Sequence, residues 1–205
     1  MPDPCWRGVL LRDFTEYDRW FACMSPAQRA RVSAYRHEAD RLAAAAGEML
    51  AKTLLAAQTG RAPDAIVLDR APSGQPLAPN TGWHVSISHT RAAAFCAISR
   101  QPIGIDAELC ARAISPAVAR RCCTPAERQA LAAAPDPQRR LLELWTAKEA
   151  IVKCTGQGLA ALPRADTAAG THALRYVLWG GHLICLCTAP GLPSASFSDN
   201  FPPKA

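Results

Sequence analysis

Leu144-Trp145-Thr146-Ala147-Lys148-Glu149-Ala150-Ile151-Val152-Lys153 reads as an amphipathic helix carrying one carboxylate and two ammonium groups beside a tryptophan. Apolar Leu141, Leu144, Trp145, Ile151 and Val152 recur at helical spacing, which predicts one buried face. Glu149 and Lys153 stand at i and i+4 with the acid first, the favourable order for a helix-surface pair. Taken alone, the pattern describes a solvated ion pair on a core helix.

A second stretch changes that reading. In Gln101-Pro102-Ile103-Gly104-Ile105-Asp106-Ala107-Glu108-Leu109 the apolar residues alternate with Gly104, Asp106 and Glu108, the period of a strand. Asp106 and Glu108 then project from one face while the odd-numbered residues are buried on the other. Two like charges held so close repel each other. A hard dication bound through oxygen relieves the conflict, and Mg²⁺ typically takes one or two carboxylates together with waters and phosphate oxygens. A solvated acidic strand end is the other reading of this pair.

Gly104-Ile105-Asp106-Ala107-Glu108, followed some forty residues later by Trp145-Thr146-Ala147-Lys148-Glu149 and Lys153, resembles the signature of the 4′-phosphopantetheinyl transferases. Ser86-Ile87-Ser88-His89-Thr90 is similar to that family's serine and histidine motif and stands in the right order. The likeness runs from about Ser25 to about Thr188, and the chain length resembles the two-half, surfactin-synthetase-type branch. This resemblance implies an α+β fold of two similar α/β halves, each a small antiparallel sheet packed against a long helix. It implies monomeric action on coenzyme A and on an apo acyl or peptidyl carrier protein. It also implies Mg²⁺ at Asp106, Glu108 and Glu149, with Lys153, Ser88 and His89 around the coenzyme's phosphates and Glu149, Lys153 and His89 carrying the chemistry.

Composition narrows the classes. The chain has 205 residues, 49% of them hydrophobic, enough to bury one substantial core or two small ones. The sequence contains no apolar run of bilayer length, and the N-terminus lacks a signal-peptide layout, so a cytoplasmic protein without membrane association is expected. Nine cysteines include no CxxC pair, which points to reduced thiols and away from zinc or a disulfide framework. The formal charge of +6, from 23 Lys and Arg against 17 acids, suits an anionic partner. Aromatics make up only 6% and no nucleic-acid-binding motif stands out, so nucleic acid is not the expected partner; coenzyme A and an acidic carrier are the anions the family resemblance implies.

Along the chain, a short strand is expected around Val9 to Leu11. Ser25-Pro26-Ala27-Gln28 signals a helix start, and alanine-rich sequence to about Thr59 predicts one long helix or two end to end. In the family, basic residues of this region reach the nucleotide end of the coenzyme, making Arg29, Arg31, Arg36 and Arg41 candidates. Ala65 to Asp69 reads as a strand and Ser73-Gly74-Gln75-Pro76 as a tight turn. That turn is similar to the family's Gly-Lys-Pro turn, with Gln75 replacing the lysine, and an amide hydrogen-bonds without neutralising charge. Trp83 to Ser88 and Ala92 to Ser99 read as strands joined at His89-Thr90-Arg91; His84 is read as structural. Thr124-Pro125-Ala126-Glu127 opens a short helix, and Arg175 to Trp179 with His182 to Thr188 forms a hairpin. Helical rotation of about 100° per residue turns Lys148 away from Glu149, toward a leaving group or solvent. In related enzymes the segment after Lys153 contributes to carrier recognition, which makes 156–168 the expected docking region. The expected organisation is an N-terminal half, 1–100, a C-terminal half, 101–189, and a flexible tail, 190–205.

Two other functional classes fit the same residues. A Mg²⁺-dependent phosphohydrolase would use the carboxylates with water as the nucleophile. A non-catalytic module binding coenzyme A or a carrier would keep the basic surface and tolerate loss of Glu149.

Overall fold

Sequence alternation and helical caps translate directly into elements in the computed structural model, which describes residues 4–13 and 15–190. The strands are β1 (Cys5–Leu10), β2 (Asp69–Arg70), β3 (Pro76–Ala78), β4 (Trp83–His89), β5 (Ala93–Ser99), β6 (Ile103–Leu109), β7 (Ala173–Trp179) and β8 (His182–Thr188). They form two antiparallel sheets, ordered β1-β5-β4-β3-β2 and β6-β8-β7. The helices are α1 (Tyr17–Ala22), α2 (Pro26–Ser33), α3 (Glu38–Thr59), α4 (Pro116–Cys122), α5 (Pro125–Ala132) and α6 (Pro137–Thr155). The fold is α+β, as expected.

Local chemistry explains the helix bounds. Ser25 and Gln28 form a reciprocal capping box at the start of α2, and Thr124 and Glu127 do the same for α5. Asp136 caps α6 by accepting from the Arg139 amide at 2.9 Å, with Pro137 at the first helical position. The alanine-rich stretch divides into α2 and α3, interrupted at 34–37.

The long helices cover opposite sides of the paired sheets. Leu50, Leu55 and Ala46 of α3 pack with Val85, Ala94 and Ile98. Ala147, Ala150 and Ile151 of α6 pack with Cys185 and Cys187 of β8. Between the sheets, Phe95 and Ala97 of β5 meet Ile103, Ile105 and Ala107 of β6, together with Ile184 and Leu186 of β8. Each large aliphatic side chain buried there contributes roughly 1.5–3 kcal/mol.

Three expectations are corrected. Ala65 to Asp69 is not a strand: a 3-10 turn spans Pro63–Ala65 and ladder pairing begins only at Asp69. The alternation that suggested a strand is real, since Ile66 and Leu68 are buried while Val67 is exposed, but it serves an extended segment laid over the core. The alternative reading of Asp106 and Glu108 as a solvated acidic strand end does not hold, because both acids are buried. Gly104, on the same face of β6, lies so close to α6 that an added Cβ would stand 1.9 Å from the Ala150 carbonyl oxygen. Finally, Lys148 reaches neither solvent nor the face of the helix that carries Glu149 and Lys153. It is fully buried, 2.8 Å from Glu127 Oε2, and also donates to the Ala165 carbonyl. The expected tail lies outside the described residues beyond Pro190.

Candidate active site

Strand β6 and helix α6 bring the acids together. Trp145, Glu149 and Lys153 recur every four residues of α6 and so share one face. The Trp145 indole donates to Glu108 Oε1 at 2.9 Å, and Lys153 Nζ donates to Asp106 Oδ1 at 2.7 Å. The i,i+4 acid–base spacing on the helix is thus used differently from the simplest reading, because Lys153 reaches across to the strand. Arg112 pairs with Glu108. Asp106 Oδ2 is buried and carries no hydrogen bond, an orphaned lone-pair donor of the kind that calls for a cation.

Strand β4 completes the wall. Ser88 Oγ donates to Asp106 Oδ1 at 2.9 Å and accepts from the Ala107 amide at 3.2 Å; Ser86 Oγ accepts from the Ile105 amide at 3.0 Å. These two hydroxyls stitch β4 to β6 where no backbone ladder joins them.

Two clefts meet here. One, about 740 Å³, runs from Arg31 and Arg70 past Ser73, Gly74, Gln75 and Pro76 to His89, Glu149 and Lys153. The other, about 780 Å³, is lined by Ser88, Asp106, Glu108, Arg112 and Arg91. Ile87, His89, Glu149 and Lys153 border both and form the waist between them.

Of the four arginines proposed from the first helical region, only Arg31 lines either cleft. Arg41 donates to the carbonyls of Tyr35 and Arg36, and Arg29 to that of Ala22, so these two bind their own chain. Arg36 lies outside both linings. Arg70, overlooked in the sequence, takes its place beside Arg31: Arg70 Nη2 stands 2.6 Å and Arg31 Nη2 3.5 Å from Glu48 Oε1. Arg31 Nε and Nη2 are buried without hydrogen bonds, Nη2 having only the longer ion pair to Glu48, so the guanidinium has donors to offer an acceptor in the cleft. Asp69-Arg70 immediately before the tight turn was the available signal.

Gln75 also behaves unexpectedly. Its Nε2 donates to the Lys153 carbonyl at 3.1 Å, so the amide is engaged with the end of α6. Gly156, Gly158 and Leu159 of the expected docking segment border the Arg31 cleft, whereas Ala161, Leu162 and Ala165 are buried.

Electrostatics follow from this crowding. Burial, reinforced by the charge of Asp106 and opposed by Lys153, pushes the Glu149 carboxyl up to about 7. Burial and the adjacent Lys153 hold His89 below its ordinary value, so at neutral pH its uncharged ring offers a hydrogen-bond donor. Among the described residues no three acidic, histidine or cysteine side chains surround one point closely enough to ligate an ion as they stand. The donor chemistry still suits a hard cation: three carboxylates share one cleft, one with an orphaned oxygen and one held partly neutral by its neighbours.

This fold and this arrangement of acids define a family. The chain belongs to the 4′-phosphopantetheinyl transferase superfamily: that family model matches residues 102–175, and one for the 4′-phosphopantetheinyl transferase N-terminal region matches 13–101. A 4′-phosphopantetheinyl transferase of Bacillus subtilis is 32% identical over 151 residues, covering 71% of this chain and 66% of that protein. The HetI transferase of Nostoc is 28% identical over 171 residues (80% and 72%). The Sfp transferase of Bacillus subtilis is 28% identical over 148 residues (71% and 66%). The chain thus matches about two thirds of the length of these relatives. Among the described residues no helix is long and apolar enough to cross a membrane.

Proposed function

We propose that this protein transfers the 4′-phosphopantetheine arm of coenzyme A to a serine hydroxyl of an apo acyl or peptidyl carrier protein. Adenosine 3′,5′-bisphosphate is the other product. The observation that carries this reading is the waist between the clefts, where Glu149, Lys153 and His89 stand beside the Asp106–Glu108 strand. The relatives' names supply the same chemistry from outside.

In this reading the nucleotide end occupies the Arg31–Arg70 cleft, where two guanidiniums held by one carboxylate offer donors to a phosphate. Ser88, His89 and Lys153 then surround the diphosphate. The serine oxygen bonds to the β-phosphorus while the bond from that phosphorus to the bridging oxygen breaks. Glu149, directly or through a bound water, receives the serine proton. Lys153 steadies charge on the reacting phosphate, held in place by Asp106. Mg²⁺, held by Asp106, Glu108 and Glu149, would supply further positive charge to the diphosphate oxygens. We also propose that the chain acts as a monomer in the cytoplasm, built as two similar halves meeting near Gln101. Each sheet carrying its own long helix supports that division.

The test is direct. Incubation with coenzyme A, Mg²⁺ and a panel of apo carrier proteins should add one phosphopantetheine per carrier, read by intact mass. No mass gain across the panel, with another transferase active alongside, sinks the proposal; phosphate-ester hydrolysis without a carrier would favour the phosphohydrolase.

A further inference from the structure

The residues that end α6 contain a contact with no part in the chemistry described so far. An α-helix leaves its last four carbonyls without intrahelical partners, and in α6 the Lys153 carbonyl is one of them. Gln75 satisfies it from outside the helix. The donor comes from the turn between β2 and β3, 78 positions away in sequence.

The surroundings show that the amide is seated and not merely nearby. Gly156, in the left-handed conformation at φ +68, follows the helix, and a Cβ on it would stand 2.6 Å from Gln75 Oε1. The backbone angle calls for glycine there, and the absence of a Cβ leaves the space the Gln75 amide fills. The turn bearing Gln75 is itself closed by hydrogen bonds from the Gly74 amide to the Ala71 carbonyl at 2.8 Å and from the Ala71 amide to the Gln75 carbonyl at 2.9 Å. A firm turn on one sheet thus grips the terminal turn of the helix on the other.

Lys153 is held at both ends as a result. Its carbonyl accepts from Gln75, and its ammonium donates to Asp106 at 2.7 Å. We propose that Gln75 is a positioning residue, which caps the C-terminal turn of α6 and thereby sets where the Lys153 ammonium stands against Asp106. The inference deepens the transferase reading and rests on it for its kinetic arm only.

Two variants of similar shape lack the donor: Gln75→Glu, which adds charge, and Gln75→Met, which does not. Both should lower kcat for transfer about three- to tenfold, the scale of one lost hydrogen bond, with KM for coenzyme A changing less than about twofold. Amide hydrogen exchange of the full chain should accelerate in peptides covering 153–158 and stay unchanged in those covering β5. A rise in KM at constant kcat in both variants would overturn the inference, because Gln75 would then be a coenzyme contact. Unchanged exchange at 153–158 would overturn it too. Absence of transfer by the parent protein counts against the proposed activity alone, since exchange reads the cap without catalysis.

Discussion

The Lys153 ammonium lies 2.7 Å from Asp106 Oδ1, and the same oxygen accepts from Ser88 Oγ at 2.9 Å. The second oxygen of that carboxylate is buried and unpartnered. One acid therefore organises a strand, a helix and a serine motif at once, while keeping a lone pair free. Replacing Lys153 with Met should remove the pairing and the donor together. Transfer should fall by about 10²–10³, the usual cost of losing one oriented donor at a developing charge, as read from carrier modification rates. A loss below about tenfold would take Lys153 out of the mechanism.

Glu149→Gln keeps the shape of the helix face and removes the proton acceptor. Its expected loss in kcat is about 10²–10⁴, the range for general-base catalysis, and retention of full activity would strip Glu149 of its role.

The same carboxyl makes stability depend on pH. It titrates at 4.5 when unperturbed and at about 7 in the fold, so folding favours its neutral form. The stability it contributes is complete below the lower value and is lost as pH rises through the upper one. With a chelator present, Glu149→Gln should accordingly gain on the parent by on the order of 2 kcal/mol between about pH 5 and about pH 8. Added Mg²⁺ should stabilise the parent more than the variant at the higher pH. Urea melts at several pH values check both statements, and a flat difference would refute the first.

Lys148 and Glu127 form a fully buried pair, and Glu127 also accepts from the Thr124 amide and from Thr167. Lys148→Met should therefore act on stability, costing about 3–5 kcal/mol by stranding a buried carboxylate, with kcat per folded molecule nearly unchanged. Adding Glu127→Gln should recover part of the loss. A double variant no more stable than the single one would show that the pairing is not what fails.

Arg31 and Arg36 test the cleft assignment against each other. Arg31→Ala should raise KM for coenzyme A about tenfold or more, on the scale of a charge-assisted hydrogen bond, whereas Arg36→Ala should leave it within about twofold. Equal effects would mean that the positive surface attracts the coenzyme without a specific contact.

What could be read in the sequence was whatever is encoded within a few residues. The α6 face, the alternation of β6, the hairpins and the capping boxes are periodic or local signals, and they appear at the expected places. The site acids were legible because their spacing is a motif. Arg70 and Gln75 were not legible in their actual roles, since each depends on a partner far along the chain, Glu48 in one case and Lys153 in the other. Lys148 misled for the same reason: rotation about the helix gives its direction, but only the packing of α5 tells that Glu127 waits there. Arg41 fails as a cleft residue because nearby carbonyls occupy its guanidinium.

Gly104 has a larger effect than its size suggests. The atoms that leave no room beside it are the Ala150 carbonyl and the Cys154 amide, and those two residues adjoin Glu149 and Lys153. A single methyl on the strand would act as a shim beneath that one turn of helix, lifting both charged groups away from Asp106 together. The reach of the whole site is gauged by a side chain that is not there.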